Sequence, residues 1–123
     1  MKGPLGLSIR NEVQTTAPPT DPPPTIAPGA IVFLAKALAD ETRVRILVSL
    51  IQGKKTVSAL VEELGISQPL ASHHLKELRR ALLVTVERSG PFIYYELVDL
   101  RITTIITDLG RLAAQLLANR TTF

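Results

Sequence analysis

The 123-residue chain has no cysteine and no tryptophan, and its aromatic complement is three phenylalanines and two tyrosines. The missing cysteines exclude disulfides, thiolate metal sites and cysteine nucleophiles. The scarcity of aromatics means that a chain with 46% hydrophobic residues must build its core from aliphatic side chains. No apolar run approaches the roughly 20 residues of a membrane span. The first 28 residues lack the charged start and apolar middle of a secretion signal, so a cytoplasmic location is expected. There is also no glycine-rich phosphate loop, no carboxylate pair set for acid–base work and no nucleophile elbow, so an enzyme is not expected. Charge of neither sign dominates: 14 Lys and Arg against 11 Asp and Glu leave +3, a mild basic excess compatible with nucleic acid. The length fits a single small domain, for which oligomerisation is a ready source of added stability.

Seven of the nine prolines precede Gly29, most of them in APPTDPPPTIAP (Ala17–Pro28). Proline removes backbone donors and favours extended conformers, so residues 1–28 read as a disordered tail ahead of a folded unit over 29–119 and a short tail at 120–123. The folded unit opens with the apolar helix candidate Ala30–Leu38. Asp40 follows as an N-cap, and Val44, Leu47, Val48 and Ile51 recur at the spacing of one helical face. Gln52–Lys55, with its glycine, ends that helix. Thr56 caps a short helix over Val57–Leu64, and Gly65 stops it. Ser67 caps the next one, with Pro69 in the first turn, where a missing amide proton costs nothing.

In that helix, over 68–81, Ala71, His74, Leu75, Leu78 and Leu82 fall on one stripe, while Gln68, Ser72, Lys76 and Arg79 fall on the other face with His73 beside them. The period then drops to two. Leu83–Arg88 and Phe92–Val98, joined by Ser89–Pro91, read as a β-hairpin, with Ile93, Tyr95 and Leu97 on one face. A last helix runs to about Ala118, with Asp99 as its cap. Ile102, Ile105, Ile106, Leu109, Ala113 and Leu116 form its stripe, which has too few partners within so small a chain and is expected to pair across a two-fold axis.

The only histidines, His73 and His74, are adjacent. Neighbours on a helix point about 100° apart, so the pair cannot chelate one ion, which would call for i, i+4 spacing. Neither has a nucleophile placed beside it by spacing, apart from Ser72 next in the chain. His74 reads as a core histidine with a local partner. His73 reads as a donor to a phosphate or a base edge, the plain alternative being a solvated surface residue. Two short helices around a glycine turn, the second with a polar outer face, form a helix–turn–helix. A helix fits the major groove, where Gln bonds adenine bidentately, Ser serves several bases, and Lys and Arg neutralise phosphates.

The stretches LAKALADETRVRILVSL, VSALVEELGISQPLASHHLKELRRALLV and VERSGPFIYYEL resemble, in order and spacing, the ArsR/SmtB family of winged-helix repressors over about Phe33 to Leu109. The resemblance implies an α+β, mostly helical winged helix-turn-helix. It further implies a homodimer through the first and last helices and a double-stranded DNA operator as partner. By position, Gln68, Pro69, Ser72 and His73 match groove-contacting residues, and Arg88 and Gly90 match the wing, 84–98, near the minor groove. Arg43 and Arg45 match the arginine pair of the preceding helix. The departures concern sensing. The segment that carries a cysteine cluster in metal-sensing members is KKTVSAL here. At the last-helix site Asp99 remains, but Arg101, Leu112 and Gln115 take the other ligand positions. Neither metal site is expected, nor any cofactor, and no inducer is implied. Pro69, Leu82 and Pro91 replace a usual serine, a usual glycine and a frequently basic wing residue. The competing reading is a winged helix that binds partner proteins through its last helix and proline-rich tail.

Overall fold

The computed structural model describes residues 25–120, which form five helices and a three-stranded antiparallel sheet. Helix α1 spans Pro28–Leu38, starting two residues ahead of Ala30 because Pro28 occupies the first turn, where its fixed φ suits a helix. Helix α2 is Glu41–Leu50. Its N-cap is Asp40, whose carboxylate accepts from the Arg43 amide at 3.0 Å. A two-residue strand β1, Lys55–Thr56, precedes helix α3, Val57–Leu64, and Thr56 also caps that helix by accepting from the Ala59 amide. Gly65 closes α3 at φ 66°, the left-handed conformation that glycine adopts at no steric cost. Helix α4, Gln68–Arg80, is capped by Ser67 through the Leu70 amide. Strands β2, Val84–Ser89, and β3, Phe92–Leu97, make the wing, and helix α5 is Arg101–Ala118.

The strands lie in the order β1-β3-β2, with Lys55 opposite Tyr95 and Thr56 opposite Tyr94. Strand β1 was invisible to periodicity, since two residues carry no period. In the hairpin Ser89 pairs with Phe92, which leaves Gly90 and Pro91 as the turn. Gly90 sits at φ 62°, and proline fixes a negative φ after it, the sign pattern of a type II′ hairpin turn.

The core joins Ile46, Leu47 and Leu50 of α2, Leu60 of α3, Leu75 and Leu78 of α4, Leu83 and Val84 at the start of β2, and Ile102 of α5. The structure departs from the helical spacing at two places. On α2 the face expected inside was Val44, Leu47, Val48 and Ile51; only Leu47 of these is buried, and Val48 and Ile51 are exposed. The stretch from Val44 to Ile51 is apolar at six of its eight positions, so two faces fit the helical period, and the sheet and α4 cover the one bearing Ile46 and Leu50. The second is Leu82, which is 69% exposed rather than part of the α4 stripe. The helix ends at Arg80 and the chain turns left-handed at Leu82, φ 65°. The Leu82 amide donates to the Arg79 carbonyl and the Leu83 amide to the Leu78 carbonyl, the paired bonds of a Schellman end. A leucine thus fills a position that favours glycine, at a cost of about 1 kcal/mol.

Candidate nucleic-acid interface

Helix α4 is divided along its length. Ala71, His74, Leu75 and Leu78 are buried, whereas Gln68, Pro69, Ser72, His73, Lys76 and Arg79 are exposed. The expected outer face is therefore one continuous solvent-facing surface. Among the described residues no acid pairs with Lys76, Arg79 or Arg88, so their charges are uncommitted. Arg80, one residue beyond, is held by Glu77 at 3.0 Å. Leu70 is also exposed on the first turn of α4, in a run Gln68–Pro69–Leu70 open to solvent, a position that an apolar residue type does not mark in the sequence. An exposed aliphatic side chain there suits a thymine methyl.

The two histidines separate as expected. His74 is 7% exposed, with Nδ1 3.4 Å from Arg43 Nη1 and Nε2 3.7 Å from Asp40 Oδ2, while His73 faces outward. The Asp40 carboxyl is held below its ordinary value, first by the hydrogen bond from the Arg43 amide, with the nearby Arg43 guanidinium adding to it. Arg45, the other arginine of the motif, donates to the Leu64 carbonyl at 3.0 Å and so closes the C-terminus of α3 beside the turn. Both arginines hold the helix–turn–helix together from behind.

In the wing, Arg88 and Gly90 are exposed on either side of the turn. Lys54 braces the hairpin from outside, 3.2 Å from Glu87 and 5.1 Å from the centre of the Tyr94 ring. The corner where the resemblance places a thiolate cluster holds a cation already. Lys55 Nζ donates to Ser49 Oγ, Gln52 Oε1 and Glu63 Oε1 at 2.6–2.8 Å and draws the Glu63 carboxyl below its ordinary value. At the head of α5, Arg101 grips Asp99 through both oxygens, down to 2.7 Å, and holds its carboxyl at about 2. Asp99 also accepts from the Arg101 amide, so it caps α5 from the residue ahead of Leu100, the geometric cap position. Among the described residues no three His, Asp or Glu side chains gather as metal ligands would. No helix among them is long and apolar enough to cross a membrane.

The stripe of α5 splits in two. Ile102 is buried and Ile106 packs on the same core, but Ile105, Leu109 and Leu116 face outward, Leu109 half exposed and Leu116 at 63%. Leu112 and Leu117 join that outer surface, and α1 adds Ile31, Val32, Phe33 and Leu34. An apolar groove of about 380 Å³ runs between α2 and α5, with Val44, Val48 and Ile51 on one wall and Ile106, Leu109 and Ala113 on the other.

Comparison with known proteins places this architecture. Residues 40–86 match the model of the bacterial regulatory protein arsR family. The chain is 40% identical over 87 residues to the HTH-type transcriptional repressor SmtB of Mycobacterium tuberculosis, a match covering 71% of this chain and 64% of that protein. The HTH-type transcriptional regulator KmtR of the same organism is 36% identical over 88 residues, covering 72% and 68%. Among solved structures, HlyU of Vibrio cholerae superposes with a TM-score of 0.63 at 34% identity, covering 68% of this chain and 91% of that one. The homodimeric winged helix-turn-helix DNA-binding domain of Mb0332 from Mycobacterium bovis gives a TM-score of 0.69 at 26% identity, covering 77% and 88%. From the helix–turn–helix through the wing, and by these relatives, the chain belongs to the ArsR family of bacterial regulatory proteins.

Proposed function

We propose that the protein is a homodimeric, sequence-specific DNA-binding regulator that represses transcription and catalyses no reaction. The observation that carries this reading is the division of α4, with its apolar side fully buried and its outer side bearing Gln68, Ser72, His73, Lys76 and Arg79 with the two cations unpaired among the described residues. An α-helix so equipped enters the major groove by its N-terminal half, which here is Gln68 to His73. Gln68 reads adenine, Ser72 a neighbouring base, and His73 donates to a base edge or a phosphate. Pro69 fits the first turn and removes a donor from it. Lys76 and Arg79, further along, neutralise phosphates, and Arg88 with Gly90 brings the wing tip to the backbone or minor groove.

Two copies joined through α1 and α5 set two reading helices one DNA turn apart, and the outward apolar residues of both helices support this assembly. The relatives' names favour repression as the mode: SmtB and SdpR of Bacillus subtilis are named repressors, although HlyU of Vibrio cholerae is named an activator. No thiolate metal site serves as the signal.

The test is titration against an operator, found by footprinting the protein's own upstream region, and against a scrambled duplex, each at two salt concentrations. Gln68→Ala costs roughly 1–3 kcal/mol on the operator and much less on the scrambled duplex. Lys76→Ala and Arg79→Ala weaken both duplexes alike and lower the salt dependence by about one phosphate contact each. Equal losses on both duplexes for Gln68→Ala would place base reading elsewhere. An affinity that hardly responds to salt would instead favour a protein-interaction module working through the exposed face of α5.

A further inference from the structure

The Arg43 side chain ties α4 to the helices behind it. It stands in the first turn of α2 with its own amide bonded to Asp40 Oδ2. Its Nε donates to the Ala37 carbonyl at 2.7 Å and its Nη2 to the Lys36 carbonyl at 3.1 Å, both in the last turn of α1. Its Nη1 points at His74 Nδ1, 3.4 Å away on the buried side of α4. One guanidinium thus spans three helices. A planar fork with five donors can do this; a lysine, with a single point charge, cannot satisfy two carbonyls and a ring in one geometry.

The chemistry of that contact fixes the state of the ring. Guanidinium only donates, so in this contact Nδ1 offers its lone pair and the ring N–H lies on Nε2. That nitrogen faces Asp40 Oδ2 at 3.7 Å, where the carboxylate favours an N–H over a lone pair. His74 is chain neighbour to His73 on the outward face and to Leu75, which is fully buried. Any rotation of α4 about its axis moves the outward residues and His74 together.

We propose that Arg43 and His74 are positioning residues for DNA recognition, the joint through which the seat of α1 sets the angle at which α4 presents Gln68 and Ser72. The proposal rests on the DNA-binding, dimeric reading above. Helix α1 leaves Ile31, Val32, Phe33 and Leu34 exposed, so assembly through α1 acts on its seat. The bonds of Arg43 to Ala37 and Lys36 hold that seat and its contact with His74 carries it to α4, without contact to DNA by either residue.

The experiment uses the full chain with Arg43→Lys, His74→Leu and His74→Asn, the last because its side-chain oxygen can stand in for Nδ1 as an acceptor. Three quantities are read: operator affinity, dimer dissociation constant, and the nitrogen shifts of the His74 ring. Losing a hydrogen bond to a charged group corresponds to about tenfold or more. Arg43→Lys and His74→Leu should lose that much on the operator and far less on scrambled duplex, with the dimer constant changed less than about threefold, on the order of 0.6 kcal/mol. His74→Asn should recover most of the loss. The ring of the unsubstituted protein should show an unprotonated Nδ1, and Arg43→Lys should mix the two tautomers. Should His74→Leu fail to fold, Arg43→Lys and His74→Asn decide the matter. Operator affinity unchanged in Arg43→Lys, or a protonated Nδ1 in the unsubstituted protein, overturns the joint. If the unsubstituted protein binds no duplex at all, the functional reading fails instead, and the ring nitrogens still report whether the contact exists.

Discussion

The centre of the molecule and its two ends are built to different standards. Between α2, α3 and α4, Ile46, Leu47, Leu60, Leu75 and Leu78 are fully buried, and every helix start there has a side-chain cap. Helices α1 and α5 are richer in aliphatic residues, yet beyond Ile106 no residue of α5 is buried, and neither helix has a cap from its own N-cap residue. Hydrophobic composition alone would place the ends, not the centre, inside. What separates them is whether one chain contains the surface each stripe needs. The centre is finished within the chain, and the ends leave their apolar residues exposed, as the proposed pairing with a second copy requires.

The largest expected effect comes from denying the ends their partner. Ile105→Asp combined with Leu109→Asp should leave the circular dichroism of the centre intact and yield monomers at micromolar concentration by sedimentation. Operator affinity should fall by roughly 10²-fold or more, since the two reading helices no longer act together. A dimer that survives both charges would move the interface elsewhere. Next in size is a contrast of truncations. Leu75→Ala, in the centre, should cost about 2–5 kcal/mol in denaturant unfolding. Leu116→Ala should cost under about 0.5 kcal/mol in a monomeric background, as an exposed site does. Equal costs would erase the distinction.

Smaller effects refine it. Leu82→Gly should raise stability by about 1 kcal/mol or less, because it relieves a left-handed leucine whose side chain is mostly in solvent. A drop in melting temperature would show that Leu82 is covered in the assembled protein. The smallest concerns acid. Arg101 holds the Asp99 carboxyl at about 2, below its ordinary 3.8. A carboxylate depressed on folding stabilises above its unfolded value and loses that contribution as pH falls through the folded one. Melting curves of Asp99→Asn and the unsubstituted protein should therefore differ at pH 5 and converge between pH ~4 and ~2.

The helices were legible because their starts are chemical: Asp40, Thr56 and Ser67 each accept the amide three residues on, as residues of that type do before an apolar stripe. The wing was legible from period two and the Gly90–Pro91 turn. The outer face of α4 followed from the inner one. Three things were hidden. Strand β1 depends on a partner far away in the chain. The choice between the two apolar faces of α2 is made by what packs on them. The bonds of Arg43 run to carbonyls and a ring, which no spacing rule encodes. Local chemistry could be read in advance; anything decided by a distant neighbour could not.

The pairing of β1 with β3 also bears on how the protein is made. Lys55 and Thr56 lie between α2 and the helix–turn–helix of α3 and α4, but their ladder partners, Tyr95 and Tyr94, come about 40 residues later. A hairpin such as β2–β3 closes in roughly 1–10 μs, whereas the wider ring must wait for both its ends to exist. On the ribosome, α2, α3 and α4 are complete before Tyr94 emerges. At about 5–20 residues per second, β1 spends several seconds with its backbone unpaired, until the wing arrives to close the sheet.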